Sequence, residues 1–376
     1  MQKKIIALAI AGLVSGGAFA QSTVTISGYV DGGYYGQSLQ TAGLGDTKTG
    51  FAGNGSGTSQ LNITVTEDLG NGLSAGYFAE TDLAIANNAG AALGNSANFL
   101  HLTSTKWGSI KGGTLNTAAL VAEITAQPFG TAIGSGISGA FGRLSRGGSN
   151  GGYAAGATGG TSAEGEYGAG LSGARSVRVN NSLSYTTPVM SGFAASLQWA
   201  KKNDESAPIT VNTAGFVALG LQYNNGPINV HYVNEQISNS SGTVASANGA
   251  GLTLGEKVTH NLLSGNYNFG PATIYGGWTS SKSSGSATLA DSRSWNIGLK
   301  YQVTGPLWLA GNFLRVDDKT ITDMDRNLNA LGFEYMLSKR TNFYGRYESG
   351  DNNKNGTTGN GVGGFTRYQL GMKHAF

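Results

Sequence analysis

Through most of its length this chain alternates apolar and polar residues in short runs, and few folds accept that pattern. In "TVTISGYVD", Val24, Ile26 and Val30 share one face against Thr25, Ser27, Tyr29 and Asp31. "LNITVT" sets Leu61, Ile63 and Val65 against Asn62, Thr64 and Thr66. "VRVNNSLSY" sets Val177, Val179, Leu183 and Tyr185 against Arg178, Asn180, Ser182 and Ser184, and "WNIGLKYQV" repeats the arrangement from Trp295 to Val303. A period of two is the mark of strands with two unlike faces, and helical periodicity is scarce.

The connections are of two kinds that take turns. Short links lie at 67–72, 105–109, 187–192, 224–227, 269–271, 303–306 and 337–341. Longer polar, Gly/Ser/Asn-rich segments lie near 37–57, 83–96, 116–175, 203–214, 238–257, 282–291, 318–325 and 351–362. Seven short and eight long connections join sixteen strands. The pattern predicts an all-β fold, a closed 16-stranded antiparallel transmembrane β-barrel with short periplasmic turns and long extracellular loops. Hydrocarbon offers no hydrogen-bond partners, so a sheet enters it only by closing on itself. At this strand number the lumen is too wide for side chains to fill and holds water. A secreted β-sandwich, jelly roll or adhesin domain is the alternative, but such domains lack strict alternation of short and long connections. A solenoid needs a fixed repeat, and there is none.

The start of the chain supplies the address. "MQKKIIALAIAGLVSGGAFA" places Lys3 and Lys4 before an apolar run and ends Ala18-Phe19-Ala20, which reads as a signal peptide over 1–20 cut between Ala20 and Gln21. The barrel domain is then 21–376. Zero Cys in an exported chain leaves no disulfides to hold the fold. Charged residues make up 12% of the chain, about half the usual share in soluble domains. Without Lys3 and Lys4, 22 basic residues face 21 acidic ones, so the formal charge is +1 and nucleic-acid binding has no electrostatic basis.

"TEDLGNGLSAGYFAE" (66–80), "SGYVDGGYY", "NNSLSYTTPVMSGFAASLQW" (180–199), "LGFEYMLSKRTNFYGRYE" (331–348) and the terminal "YQLGMKHAF" together resemble the general porins of the β-proteobacterial outer membrane. The resemblance implies a homotrimer in outer-membrane lipid and lipopolysaccharide, inserted by the barrel assembly machinery, which reads the terminal Phe376 as a signal. It implies a passive channel for small hydrophilic solutes and ions, whose third long loop folds into the pore. The segment 116–175 stands at that loop's place, with "PFG" (Pro128 to Gly130) and a Gly-rich tract over 130–174 that lies in the pore or outside it. Two departures concern selectivity. Gln60 in "SQLN" and Gly113-Thr114 stand where the resembled family carries wall arginines associated with anion preference, so that preference does not carry over.

A pore's chemistry is a field, set by acids on the inward loop facing bases on the wall. Glu123 is the acid in the first half of that loop and is expected at the waist, where Glu123→Gln would shift selectivity toward anions. Parity puts Lys111, Arg178, Lys300, Arg346, Glu80 and Glu334 on lumen faces, and His231 as well. Arg143, Arg146 and Arg175 serve as mouth charges. The acids around "DDKTITDMD" lack the glycine and terminal glutamate of a calcium loop, and the four His show no metal spacing, so neither metal nor cofactor is expected. Trp199, Trp278, Trp295 and Trp308 fall where interfacial aromatic girdles lie. Three other readings stay open: a substrate-specific channel, which an aromatic track or a dense one-sign cluster on inward faces would mark, neither being evident in the sequence; an adhesin or structural barrel; and a membrane-embedded hydrolase, which needs a Ser–His pair with an orienting acid or amide.

Overall fold

The computed structural model describes residues 22–41, 46–86, 92–136, 166–168, 175–200, 215–238, 257–284, 291–319, 325–352 and 362–376. The expected leader over 1–20 with its Ala20/Gln21 cleavage point, the expected mouth charges Arg143 and Arg146, and most of the 130–174 tract lie outside them.

The strands are β1 (Ser22–Thr41), β2 in two pieces (Asp46–Gly53 and Gln60–Gly70), β3 (Leu73–Asp82), β4 (Asn98–Ser104) and β5 (Gly108–Asn116). A helix, α1 (Ala118–Thr125), interrupts them. Then follow β6 (Arg175–Thr186), β7 (Phe193–Ala200), β8 (Gly215–Asn225), β9 (Ile228–Ser238), β10 (Lys257–Asn268) and β11 (Ala272–Ser283). The last are β12 (Asp291–Gln302), β13 (Leu307–Asp318), β14 (Arg326–Met336), β15 (Thr341–Asn352) and β16 (Val362–Ala375). Each is antiparallel to the next, and β16 returns to β1 with Tyr29 opposite Ala375 and Thr41 opposite Val362. The result is a closed sixteen-stranded barrel. A three-residue strand, Glu166–Gly168, sits beside β6 outside that closed order.

Closure leaves the last residue no room to fray. The Phe376 N–H donates to the Gly28 carbonyl at 3.0 Å and the Gly28 N–H donates back at 3.2 Å. A Cβ on Gly28 would strike the Gln60 carbonyl oxygen at 2.1 Å, so glycine is what lets three segments meet there. At the first short turn, Asn71 and Gly72 both have positive φ, 55° and 75°, as a two-residue I′ hairpin requires.

The outer surface is apolar: Ile26, Leu100, Leu197, Leu219, Ile297, Leu331 and Leu370 are exposed on the face that meets lipid. Aromatic residues flank this band. Trp199, Trp278, Trp295 and Tyr368 lie toward the loops, and Tyr267, Tyr301, Tyr335 and Phe343 toward the turns. Trp295 and Tyr301 are six residues apart on β12, about 20 Å along a strand.

Four features depart from the sequence reading. The segment 37–57 is not all loop: β1 continues to Thr41, and Asp46–Gly53 pairs with Gly32–Leu39, its small residues having masked the alternation. Residues 54–59 leave the sheet, splitting β2. On β6 a bulge opposite Gly113–Leu115, with Asn181 at φ 47°, shifts the pairing by one residue, so that Val179 stands opposite Leu115. Val179 therefore turns inward, buried with Leu115. Trp308 lies on the lumen side, with Lys300 5.0 Å from its ring centroid, and does not belong to the girdle.

Candidate functional site: the lumen and its inward loop

After β5 the chain turns into the barrel. Thr117 caps α1, its hydroxyl accepting from the Leu120 N–H at 3.1 Å. Ala119, Leu120, Ala122 and Ala126 are buried, while Val121 and Ile124 face open space. The helix leans on β6, β8, β9 and β10. The buried residues of this loop join apolar side chains on the inner wall, namely Val233, Leu262, Leu314, Val316, Leu328, Ala330 and Phe365. The inner face is thus polar only in part, and its apolar share is the seat of the loop.

Polar wall residues on four strands fasten the loop backbone. The side-chain amides of Asn266 on β10, Asn296 on β12 and Asn312 on β13 donate to the carbonyls of Thr125 at 3.1 Å, Ala126 at 2.6 Å and Gly134 at 3.1 Å. On β15 the Glu348 carboxylate accepts the Gly134 N–H at 2.6 Å and is paired with Arg367 at 2.7 Å. Each contact with the loop spans more than 140 positions of sequence, which explains why no local pattern announced these residues.

The "PFG" turn lies over Arg346, whose guanidinium is 5.0 Å from the centre of the Phe129 ring. Arg346 pairs with Glu334, and Glu334 with Lys300 at 3.4 Å. Three of the residues assigned to the lumen by parity thus form one base–acid–base cluster beside the loop. Arg346 also donates to Ser56 at 3.3 Å, in the break of β2. That break is held by Asp31, whose carboxylate accepts the Ser56 and Gly57 N–H groups at 2.5 and 2.8 Å and the Tyr344 hydroxyl. Thr58 and Thr131 approach to 3.4 Å, so the break reaches the inward loop itself.

The other assigned residues are placed differently. Glu80 and Arg178 approach to 3.6 Å near the extracellular rim, where Arg178 also donates to Asn116 and Ser96 donates to Glu80. Lys111 stands over the Phe99 ring at 5.0 Å. Glu123, expected at the waist, is 1% exposed: the helix turns it to the wall side, with Val121 and Ile124 toward the lumen. A local reading of loop charge misses this because helical phase decides the facing. His231 bonds Asn229 at 2.9 Å.

Two alternatives meet the geometry here. Glu235, His260 and Ser281 stand opposite one another on β9, β10 and β11, with His260 Nδ1 2.9 Å from Ser281 Oγ. All three are no more than 1% exposed, so the serine hydroxyl presents nothing to a substrate. Among the described residues no group of His, Asp or Glu is arranged to hold a metal ion. Asp317 and Asp325 of the acidic segment are paired instead with Lys319 at 3.6 Å and Arg315 at 3.2 Å.

A closed barrel with an apolar outside, a charged lumen and a loop clamped across its inner wall is the architecture of a diffusion pore. The chain belongs to the Gram-negative porin family, which matches residues 7–355. It is 28% identical over 388 residues to outer membrane porin protein 32 of Delftia acidovorans, covering all of both chains. In structure it is similar to an anion-selective porin from Comamonas acidovorans, with TM-score 0.71, 23% identity, and coverage of 95% of this chain and 100% of that one. It also resembles the trimer form of OmpT from Vibrio cholerae, with TM-score 0.62, 13% identity, and coverage of 94% and 99%. The protein is a channel of the Gram-negative outer membrane.

Proposed function

We propose that the channel passes small hydrophilic solutes and ions by passive diffusion with weak charge preference. The observation that carries this reading is the pairing of opposite charges in the lumen: Glu334 between Lys300 and Arg346, and Glu348 with Arg367. These three bases and two acids leave a net charge of +1, so they make a local transverse field but add little net potential along the pore. The structural neighbour described as anion-selective does not decide the matter for this chain, since Gln60 and Gly113-Thr114 supply no positive charge.

The homotrimer is part of this proposal and is supported by the trimeric form of the OmpT neighbour. So are cleavage after Ala20, a lipopolysaccharide-containing bilayer, and recognition of Phe376 by the assembly machinery. The test is reconstitution in a planar bilayer across a KCl gradient. Stepwise current in groups of three and a reversal potential near zero are the expected outcome. A folded barrel that never conducts overturns the reading, and a reversal potential near the Nernst limit for either ion overturns weak selectivity.

A further inference from the structure

The wall opposite the loop's anchors carries aromatic residues where a water-filled lumen would ordinarily present polar ones. Phe78 on β3, Phe99 and His101 on β4 and Lys111 on β5 all face inward, opposite the lipid-facing Leu100 and Leu102. The Phe78 and Phe99 rings are 5.2 Å apart, and the Phe99 and His101 rings 6.4 Å. The Lys111 ammonium lies 5.0 Å from the Phe99 ring centre. None of the four is buried, and none belongs to the apolar cluster that seats the loop. Gly76 makes the patch possible: a Cβ there would come within 2.6 Å of the His101 ring.

We propose that these four residues form a subsite in the pore wall for small aromatic carboxylates. Apolar ring surface left in water costs free energy in proportion to its area, and a flat ring laid against Phe78 and Phe99 removes that cost. The carboxylate of the same solute then meets Lys111, which is set over an aromatic ring and not on an acid. Glu80, an acid on this face, is engaged by Arg178 and Ser96. A short aliphatic acid lacks the ring, and an aromatic ammonium ion is repelled by Lys111. The subsite adds a weak preference to a pore that still passes other solutes.

The inference rests on the reading of the chain as an open channel, and one set of current recordings tests the two separately. Benzoate added to KCl is expected to reduce the current saturably, while acetate and benzylammonium at equal concentration do not. Phe99→Leu, which keeps an apolar side chain but removes the ring, and Lys111→Gln are each expected to raise the half-blocking concentration about fivefold. Each is normalised to its own KCl current. Equal half-blocking concentrations in wild type and variants, or block by acetate as strong as by benzoate, overturn the subsite alone. A protein that carries no KCl current overturns the channel reading and the subsite with it. Should Phe99→Leu fail to insert, Lys111→Gln decides.

Discussion

Two carboxylates, Glu123 and Glu334, show how little a residue's chemistry says before its surroundings are known. Both were legible as pore acids, one from its place in the third loop and the other from strand parity. Glu334 lies between Lys300 and Arg346 with 19% of its side chain exposed, whereas Glu123 is 1% exposed against the wall. Strand parity put Glu334 on the lumen face because a strand has only two faces. Loop position failed for Glu123 because a helix has many, and its phase is set by contacts with distant strands. Glu334→Gln is therefore expected to move the reversal potential toward anions, since Lys300 and Arg346 lose their counter-charge. The shift should be larger at 0.01 M salt, where the screening length is about 30 Å, than at 1 M, where it is about 3 Å. Glu123→Gln should leave the reversal potential unchanged. A shift for Glu123→Gln as large as that for Glu334→Gln would return Glu123 to the waist.

Among the elements, the strands were readable and the loop's seat was not. The hairpin at Asn71-Gly72 and the short turns follow from local chemistry, because turn residues carry their own backbone preferences. The bulge at Asn180-Asn181 was hidden, since an inserted residue leaves composition intact while shifting the pairing by one residue. So was the clamp formed by Asn266, Asn296 and Asn312, whose partners are backbone carbonyls on another element. Each of those hydrogen bonds contributes about 1 kcal/mol. A combined Asn296→Ala and Asn312→Ala variant is accordingly expected to insert and conduct, but with noisier open-channel current and faster protease cleavage between 118 and 136. Unchanged noise and cleavage would show that the apolar seat alone holds the loop.

For the molecule as a whole, closure is the organising fact, and Phe376 stands where it is completed. Its N–H and carbonyl exchange hydrogen bonds with Gly28, and its ring lies toward lipid. Deleting Phe376 is expected to lower the yield of inserted, heat-modifiable protein while leaving the single-channel conductance of the inserted fraction unchanged. Normal yield would remove it from assembly. By itself, the sequence determined the class of fold: two-residue alternation and connections of alternating length leave a closed barrel as the arrangement that satisfies every backbone group in lipid. It determined most inward and outward facings for the same reason, because a strand's side chains alternate without reference to anything else. Only the tertiary structure decided which lumen residues meet. The Lys300–Glu334–Arg346 cluster, the asparagine clamp, the Asp31 support of the β2 break and the Phe78–Lys111 patch depend on strand register and on helix phase, and both are settled by contacts between residues far apart in the chain.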